Sequence, residues 1–199
     1  MTVTLLLVRH AMHVDFNVRL TGRADDVPLS EAGRAQAASL GQRLAAEPIA
    51  AVYASPRERT QMTAAAIAVH HGLEPRTDAR IDEIDMGDWT RAPIEDLRGD
   101  AAFAIWNERR ATAAPPNGEP FAAVAERAMA YVRAMAVRHA GQTIVAVSHA
   151  DVIKGAVAAC LELHLDHILR FEIGPASVTR LVAGDWGTKL ISLNEGAAA

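Results

Sequence analysis

Arg9-His10 and Ser148-His149 each close an apolar run, Leu5-Leu6-Leu7-Val8 in the first case and Ile144-Val145-Ala146-Val147 in the second. A third run, Ile49-Ala50-Ala51-Val52-Tyr53-Ala54, ends in Ser55-Pro56-Arg57. Two arginines from different strands can grip a tetrahedral dianion bidentately, and neither can lose its charge. A carboxylate needs only one such grip, so the pair points to a phosphoryl group. A neutral histidine facing the phosphorus can attack it and split one displacement into two, through a phosphohistidine. The other histidine can donate hydrogen bonds as charge shifts onto the equatorial oxygens. The leaving oxygen needs a proton from a carboxylic acid, and crowding among acids raises the pKa toward that use. The segment Arg80 to Trp89 packs Asp82, Glu83, Asp85 and Asp88 around apolar residues with no clean period. It reads as an active-site loop in which Glu83 is the candidate donor, with Asp82 and Asp85 as alternatives.

Apolar runs that stop at polar groups read as buried strands, and ligands of open α/β sheets bind just beyond the strands' carboxyl ends. The spacing predicts further elements in alternation. A helix runs from an N-cap at Ser30 to about Ala46, and another is opened by Pro56 and Arg57, runs through Ile67 to His71 and is capped by Gly72. Helices also follow at Ala101 to Thr112, from Pro120 through Val137, and at Ala150 to Leu161. Phe171 to Ile173, Val178 to Val182 and Lys189 to Leu193 read as short strands, the last two joined as a hairpin. Strand and helix in alternation imply a mostly parallel sheet covered on both faces. The loop from Ala11 to Leu29 leaves the first strand's end, where binding residues collect, and carries His13, Asn17, Arg19 and Arg23.

At 199 residues and 50% hydrophobic, the chain is sized for one well-buried domain over 1–199, with 196–199 a frayed tail. A net charge of only -4 gives no basic field to recommend nucleic acid, so any anion must be held by local arginines. Cys160 is the single cysteine, which excludes an internal disulfide and suits a reducing cytoplasm. Thr4 to Val8 is too short for a membrane segment, and no basic leader precedes it.

Read together, Leu7-Val8-Arg9-His10, Leu29-Ser30-Glu31-Ala32-Gly33-Arg34-Ala35-Gln36-Ala37, Ser55-Pro56-Arg57, Glu83 with Gly87-Asp88-Trp89, and Val147-Ser148-His149 resemble the histidine phosphatases of the phosphoglycerate-mutase-like superfamily. The blocks follow the family's order across nearly the whole chain. The resemblance implies a three-layer α/β/α sandwich and metal-independent, cofactor-free hydrolysis of a small phosphomonoester. It makes His10 the phosphorylated nucleophile and Glu83 the proton donor, with Arg9, Arg57 and His149 holding the phosphate. Thr21 and Gly22 register with the family's loop, and Asn17, His13 and Ala150 join them as candidate substrate contacts. The chain departs from the pattern at Ala11-Met12-His13, where the family reads glycine, an acid and a hydroxyl residue. Phe16 takes the slot of the family's loop asparagine, one place before Asn17, and Thr90-Arg91 replaces a common Glu-Gly. Relatives are commonly homodimers.

Two rival readings stand beside hydrolysis. A phosphoglycerate-type mutase shares the first half-reaction, but the mutases carry longer insertions after the proton donor and near the chain end, where this chain is compact. A phosphate-ester binding protein is motivated by the altered loop after His10. Among the other histidines, His70, His71 and His139 read as helix C-terminal capping groups, and His164 with His167 lacks the spacing of a metal site. Trp89 and Trp106 read as core, with Trp106 a candidate wall. Arg19, Arg23, Arg91 and Arg98 hint at a second anionic group on the substrate.

Overall fold

Strand β1, Val3–Arg9, is buried at five of its seven positions and starts the fold from its centre. The structure, a computed structural model, describes residues 1–196. Helix α1 is Glu31–Leu44, and Ser30 Oγ caps it by accepting from Gly33 N. Strand β2 is Ile49–Ala54, and helix α2, Glu58–Ala68, tightens into a 3-10 turn that Gly72 closes at φ 64°. After β3, Arg76–Thr77, come α3, Ile94–Leu97, and α4, Ala101–Glu108, then α5, Phe121–Arg138, and β4, Thr143–Ser148. Helix α6, Ala150–Cys160, leads to the hairpin of β5, Val178–Gly184, and β6, Gly187–Glu195.

The sheet order is β3-β2-β4-β1-β5-β6, parallel from β3 to β1 and antiparallel through the hairpin. Side chains alternate across it. Leu5 and Leu7 face a core made with Val124, Tyr131 and Met135 of α5 and Val152, Ile153 and Val157 of α6. Leu6 and Val8 face the opposite core, with Leu40 and Leu44 of α1 and Ala64 and Ile67 of α2. This is the expected three-layer α/β/α sandwich. Each fully buried leucine contributes about 2 kcal/mol of transfer free energy, so both helical layers are held by the same central strands. The register then positions the chemistry: Arg9 pairs with Ser148 and Ala54 with Val147. His10, His149 and Ser55 therefore leave three neighbouring strands at one edge.

Several expectations are corrected. Phe171 to Ile173 is not a strand; the carbonyl of buried Ile173 accepts from Arg9 Nη1 at 2.7 Å instead of entering a ladder. The helix expected to reach Thr112 stops at Glu108, where Arg109 leaves helical geometry and Ala111 N turns to Asp166 Oδ1 at 2.8 Å. Pro56 and Arg57 precede α2: Arg57 is its extended N-cap residue, with ψ 140°, not part of the first turn. Neither β3 nor α3 was anticipated, both being too short to show a period. Of the tail expected to fray at 196–199, residues 197–199 lie outside the described residues. Among the described residues no helix is long and apolar enough to cross a membrane.

Candidate active site

The loop after β1 is fastened from both sides of His10. The His10 amide donates to Ser148 O at 2.9 Å, Ala11 N to Thr63 Oγ1 at 3.1 Å, and Met12 N to Gln36 Oε1 at 3.1 Å. Gly33 of α1 lies so close that a Cβ there would stand 1.8 Å from Met12 O, which fixes glycine in the Ser-Glu-Ala-Gly block. His10 is 3% exposed, and its Nδ1 meets Ala11 O at 2.8 Å. A carbonyl only accepts, so Nδ1 carries the proton and Nε2 carries the lone pair. Burial and the nearby Arg59 and Arg9 cations hold its pKa well below the usual histidine value, so the ring is neutral at neutral pH.

The second arginine of the cluster is Arg59, not Arg57. Arg59 is 0% exposed; Nη2 donates to Gly22 O at 2.7 Å and stands 3.4 Å from His149 Nδ1. Its Nε and Nη1, like Nε of Arg9, are buried without a hydrogen-bond partner among the described residues. Buried guanidinium donors without partners are costly, which makes these three atoms anion-seeking. Arg57 is instead spent on protein. Its Nε donates to Asp82 Oδ1 at 3.1 Å and Nη1 to Asp25 Oδ1 at 2.7 Å and Arg23 O at 2.6 Å, while Nη2 stands 3.1 Å from Asp82 Oδ2. The expectation that Arg57 joins Arg9 at the histidines is therefore corrected.

His149 is fully buried, its ring centroid 5.2 Å from that of His10. Ser55 Oγ donates to Asp82 Oδ1 at 3.0 Å, so the 2.8 Å contact between Ser55 Oγ and His149 Nε2 has the imidazole as donor. That chain of two bonds leaves Nδ1 of His149 facing Arg59 and Glu83 Oε2, the latter at 3.5 Å. Asp82 also accepts from Glu83 N at 2.8 Å, so its oxygens are occupied and it is displaced as an alternative donor. Asp85 is nearly half exposed and accepts from Gly87 N at 2.9 Å. Glu83 differs from both: among the described residues Oε1 accepts only from Ile84 N at 2.9 Å, and burial, then the Asp151 carboxylate, push its pKa up to about 7 against Arg59 and Arg9. Its backbone carbonyl is gripped by Arg23 Nε at 2.7 Å and Arg127 Nη2 at 3.1 Å.

A cavity of about 180 Å³ opens onto this cluster, lined among others by Arg9, His10, His13, Glu83, Ala150 and Asp151. Thr21, Gly22 and Asn17 line it too, Asn17 with the left-handed φ of 60°. Phe16 also lines it and lies under the Arg9 guanidinium at 5.5 Å. His13 is buried, 5.4 Å ring to ring from His10, and burial, reinforced by Arg59, lowers its pKa to about 4. Of the four outer arginines only Arg19 lines the cavity, Arg23 being tied to Glu83 O and Glu119. A larger cavity of about 540 Å³ beside Met1, α5 and the hairpin holds none of the histidines.

The remaining histidines fall elsewhere. His139 ends α5 between Tyr53 Oη at 2.9 Å and Gln142 Oε1 at 2.7 Å. No group of three or more His, Cys, Asp or Glu among the described residues is placed to hold a metal. Trp89 and Trp106 pack edge to face in the core at 5.7 Å, and neither lines the cavity. Arg59 was missed although a signal existed: it shares the buried stripe of α2 with Thr60, Thr63, Ala64 and Ile67. An arginine on a helix's core-facing stripe needs a counter-anion.

Fold and site together define an α/β protein with a histidine–arginine anion cluster at the carboxyl edge of its parallel strands. The model of the histidine phosphatase superfamily (branch 1) matches residues 5–196, and the chain belongs to that superfamily. It is 33% identical over 196 residues to phosphoserine phosphatase 1 of Hydrogenobacter thermophilus, covering 96% of this chain and 92% of that one. It is 31% identical over 195 residues to the glucosyl-3-phosphoglycerate phosphatase of Mycobacterium tuberculosis, covering 92% and 86%. The structure of Bacillus stearothermophilus YhfR superimposes with a TM-score of 0.89 at 31% identity, over 97% of both chains.

Proposed function

We propose that the protein is a metal-independent phosphomonoester hydrolase working through a phosphohistidine on His10. The observation that carries this is the pairing of a neutral, deprotonated Nε2 on His10 with three unpartnered buried guanidinium nitrogens from Arg9 and Arg59. Arg9 and Arg59 take the phosphoryl oxygens, a set in which Arg59 replaces Arg57, while neutral His149, its one proton engaged by Ser55 Oγ, packs its ring against that of His10. Nε2 attacks phosphorus opposite the ester oxygen; the P–O bond breaks, and Glu83 passes its proton to the departing alkoxide. Ionised Glu83 then takes a proton from water as its oxygen attacks the phosphohistidine, and inorganic phosphate and neutral His10 are restored. His13, buried beside His10, fits as a further phosphate contact in the slot of the family's hydroxyl residue. Ala150, Thr21, Gly22 and Asn17 line the path of the ester group.

The relatives whose names are those of phosphatases support hydrolysis over the mutase reading. The test is steady-state phosphate release from a panel of phosphomonoesters with chelator present, with product isomers assayed in parallel. Sustained release in chelator, lost in His10→Ala, is expected. Isomerised product without net release would make it a mutase, and binding without turnover that His10→Ala leaves unaltered would make it a binding protein.

A further inference from the structure

Asp151 is not explained by phosphate binding, since a carboxylate beside a dianion repels it. It stands on the first turn of α6, two residues after His149, and lines the same cavity as His10 and Glu83. Its Oδ1 is reached by Arg110 Nη1 at 3.5 Å, and its other oxygen accepts no hydrogen bond among the described residues. Arg110 is itself fixed. It is 4% exposed, its guanidinium lies 3.3 Å from the Trp106 ring centroid, and Nη2 donates to Asn107 Oδ1 at 2.8 Å. A rigid aromatic stack thus holds a carboxylate at the wall of an anion pocket.

The groups that face Glu83 set a conflict that Asp151 resolves. From β1 and α2 come Arg9 and Arg59, and from behind Asp151 comes Arg110, cations that favour the ionised form, while from the strand ends come neutral His10 and His149. Asp82 precedes it in sequence, and Arg23 and Arg127 hold its backbone carbonyl. The two cations that phosphate binding demands pull Glu83 toward its ionised form, against the burial that favours the proton it must give away. We propose that Asp151, anchored by Arg110, is a positioning residue for the acid step, its negative charge keeping the proton on Glu83 until the leaving oxygen takes it. The direction agrees with the Asp151 carboxylate standing next after burial among the influences that raise Glu83.

The inference rests on Glu83 being the acid, and its test separates the two. The pH dependence of kcat is measured for wild type, Glu83→Gln, Asp151→Asn and Asp151→Glu with a p-nitrophenyl ester, which leaves without a proton, and with an alkyl phosphomonoester, which needs one. Thermal melts confirm folding. For the alkyl ester, Asp151→Asn is expected to move the basic limb about one pH unit toward acid, a roughly tenfold loss of kcat above it, with Asp151→Glu restoring the limb. The aryl ester should lose far less. An unmoved limb with equal losses on both esters would overturn the proposal by making Asp151 structural. A stronger leaving-group dependence in Asp151→Asn than in Glu83→Gln would overturn it by making Asp151 the acid. If Glu83→Gln itself fails to distinguish the esters, the reading of Glu83 fails first; if it distinguishes them while the Asp151→Asn limb stays put, only the present inference fails.

Discussion

Arg57 and Arg59 stand two residues apart at the start of α2 and end in opposite electrostatic circumstances. Arg57 has its nitrogens on Asp82, Asp25 and the Arg23 carbonyl, and it ties three loops together. Arg59 is fully buried, with two nitrogens unpartnered among the described residues. A satisfied cation stabilises the fold, whereas an unsatisfied one is a stored preference for an anion. Arg57 is the extended residue before the helix and Arg59 lies on the helix's buried stripe, so two positions are enough to turn one arginine along the surface loops and the other into the strand-end cluster.

The contrast is broken most severely by removing the buried partner. Arg59→Ala should lower kcat/KM about 10³-fold, because an electrostatic contact to the transferring group is lost in a site shielded from water. Ser55→Ala should cost about ten- to a hundredfold in kcat by untying His149 from Asp82, a loss of orientation that leaves the ligands in place. Arg57→Ala should reduce kcat/KM less than about tenfold yet destabilise by about 2 kcal/mol, read as a lower denaturation midpoint, because the buried Asp82 loses its chief cation. Equal kinetic losses in Arg57→Ala and Arg59→Ala would erase the distinction.

A smaller effect sharpens it on the acid side. The folded-state pKa of Glu83 lies above its unfolded value, so the folded protein holds a proton that the unfolded chain has released. Stability should therefore fall as pH rises from about 4.5 to about 7, and the penalty is complete above that. Glu83→Gln removes that penalty, and its melting temperature should exceed wild type by a few degrees at pH 8 but not at pH 5. No difference between the two pH values would contradict the buried, proton-holding carboxyl.

What the sequence made legible follows from period and punctuation. The β1 and β4 runs with their terminal histidines were readable because a buried parallel strand is a continuous apolar run and its end is where polar residues appear. Ser30, Gly72 and the β5–β6 hairpin were readable from capping and turn chemistry. Phe171 to Ile173 misled because apolar residues in an extended segment look alike whether or not a neighbour pairs with them; here Arg9 claims the Ile173 carbonyl. Arg57 misled because strand-end placement was counted from Ser55, while helix phase, which selects Arg59, was not. The Arg110–Asp151 support was hidden for another reason: it joins residues 41 apart in sequence, and nothing local announces a contact at that range.

The mechanism turns on which atom accepts the phosphoryl group. Rapid acid-free quenching of the enzyme during turnover of a ³²P-labelled monoester, followed by peptide mapping, reads it directly. An alkali-stable, acid-labile label on the peptide bearing His10 is expected in wild type, missing in His10→Ala and longer-lived in Glu83→Gln. Label retained in His10→Ala, or carried by a peptide without His10, would contradict it.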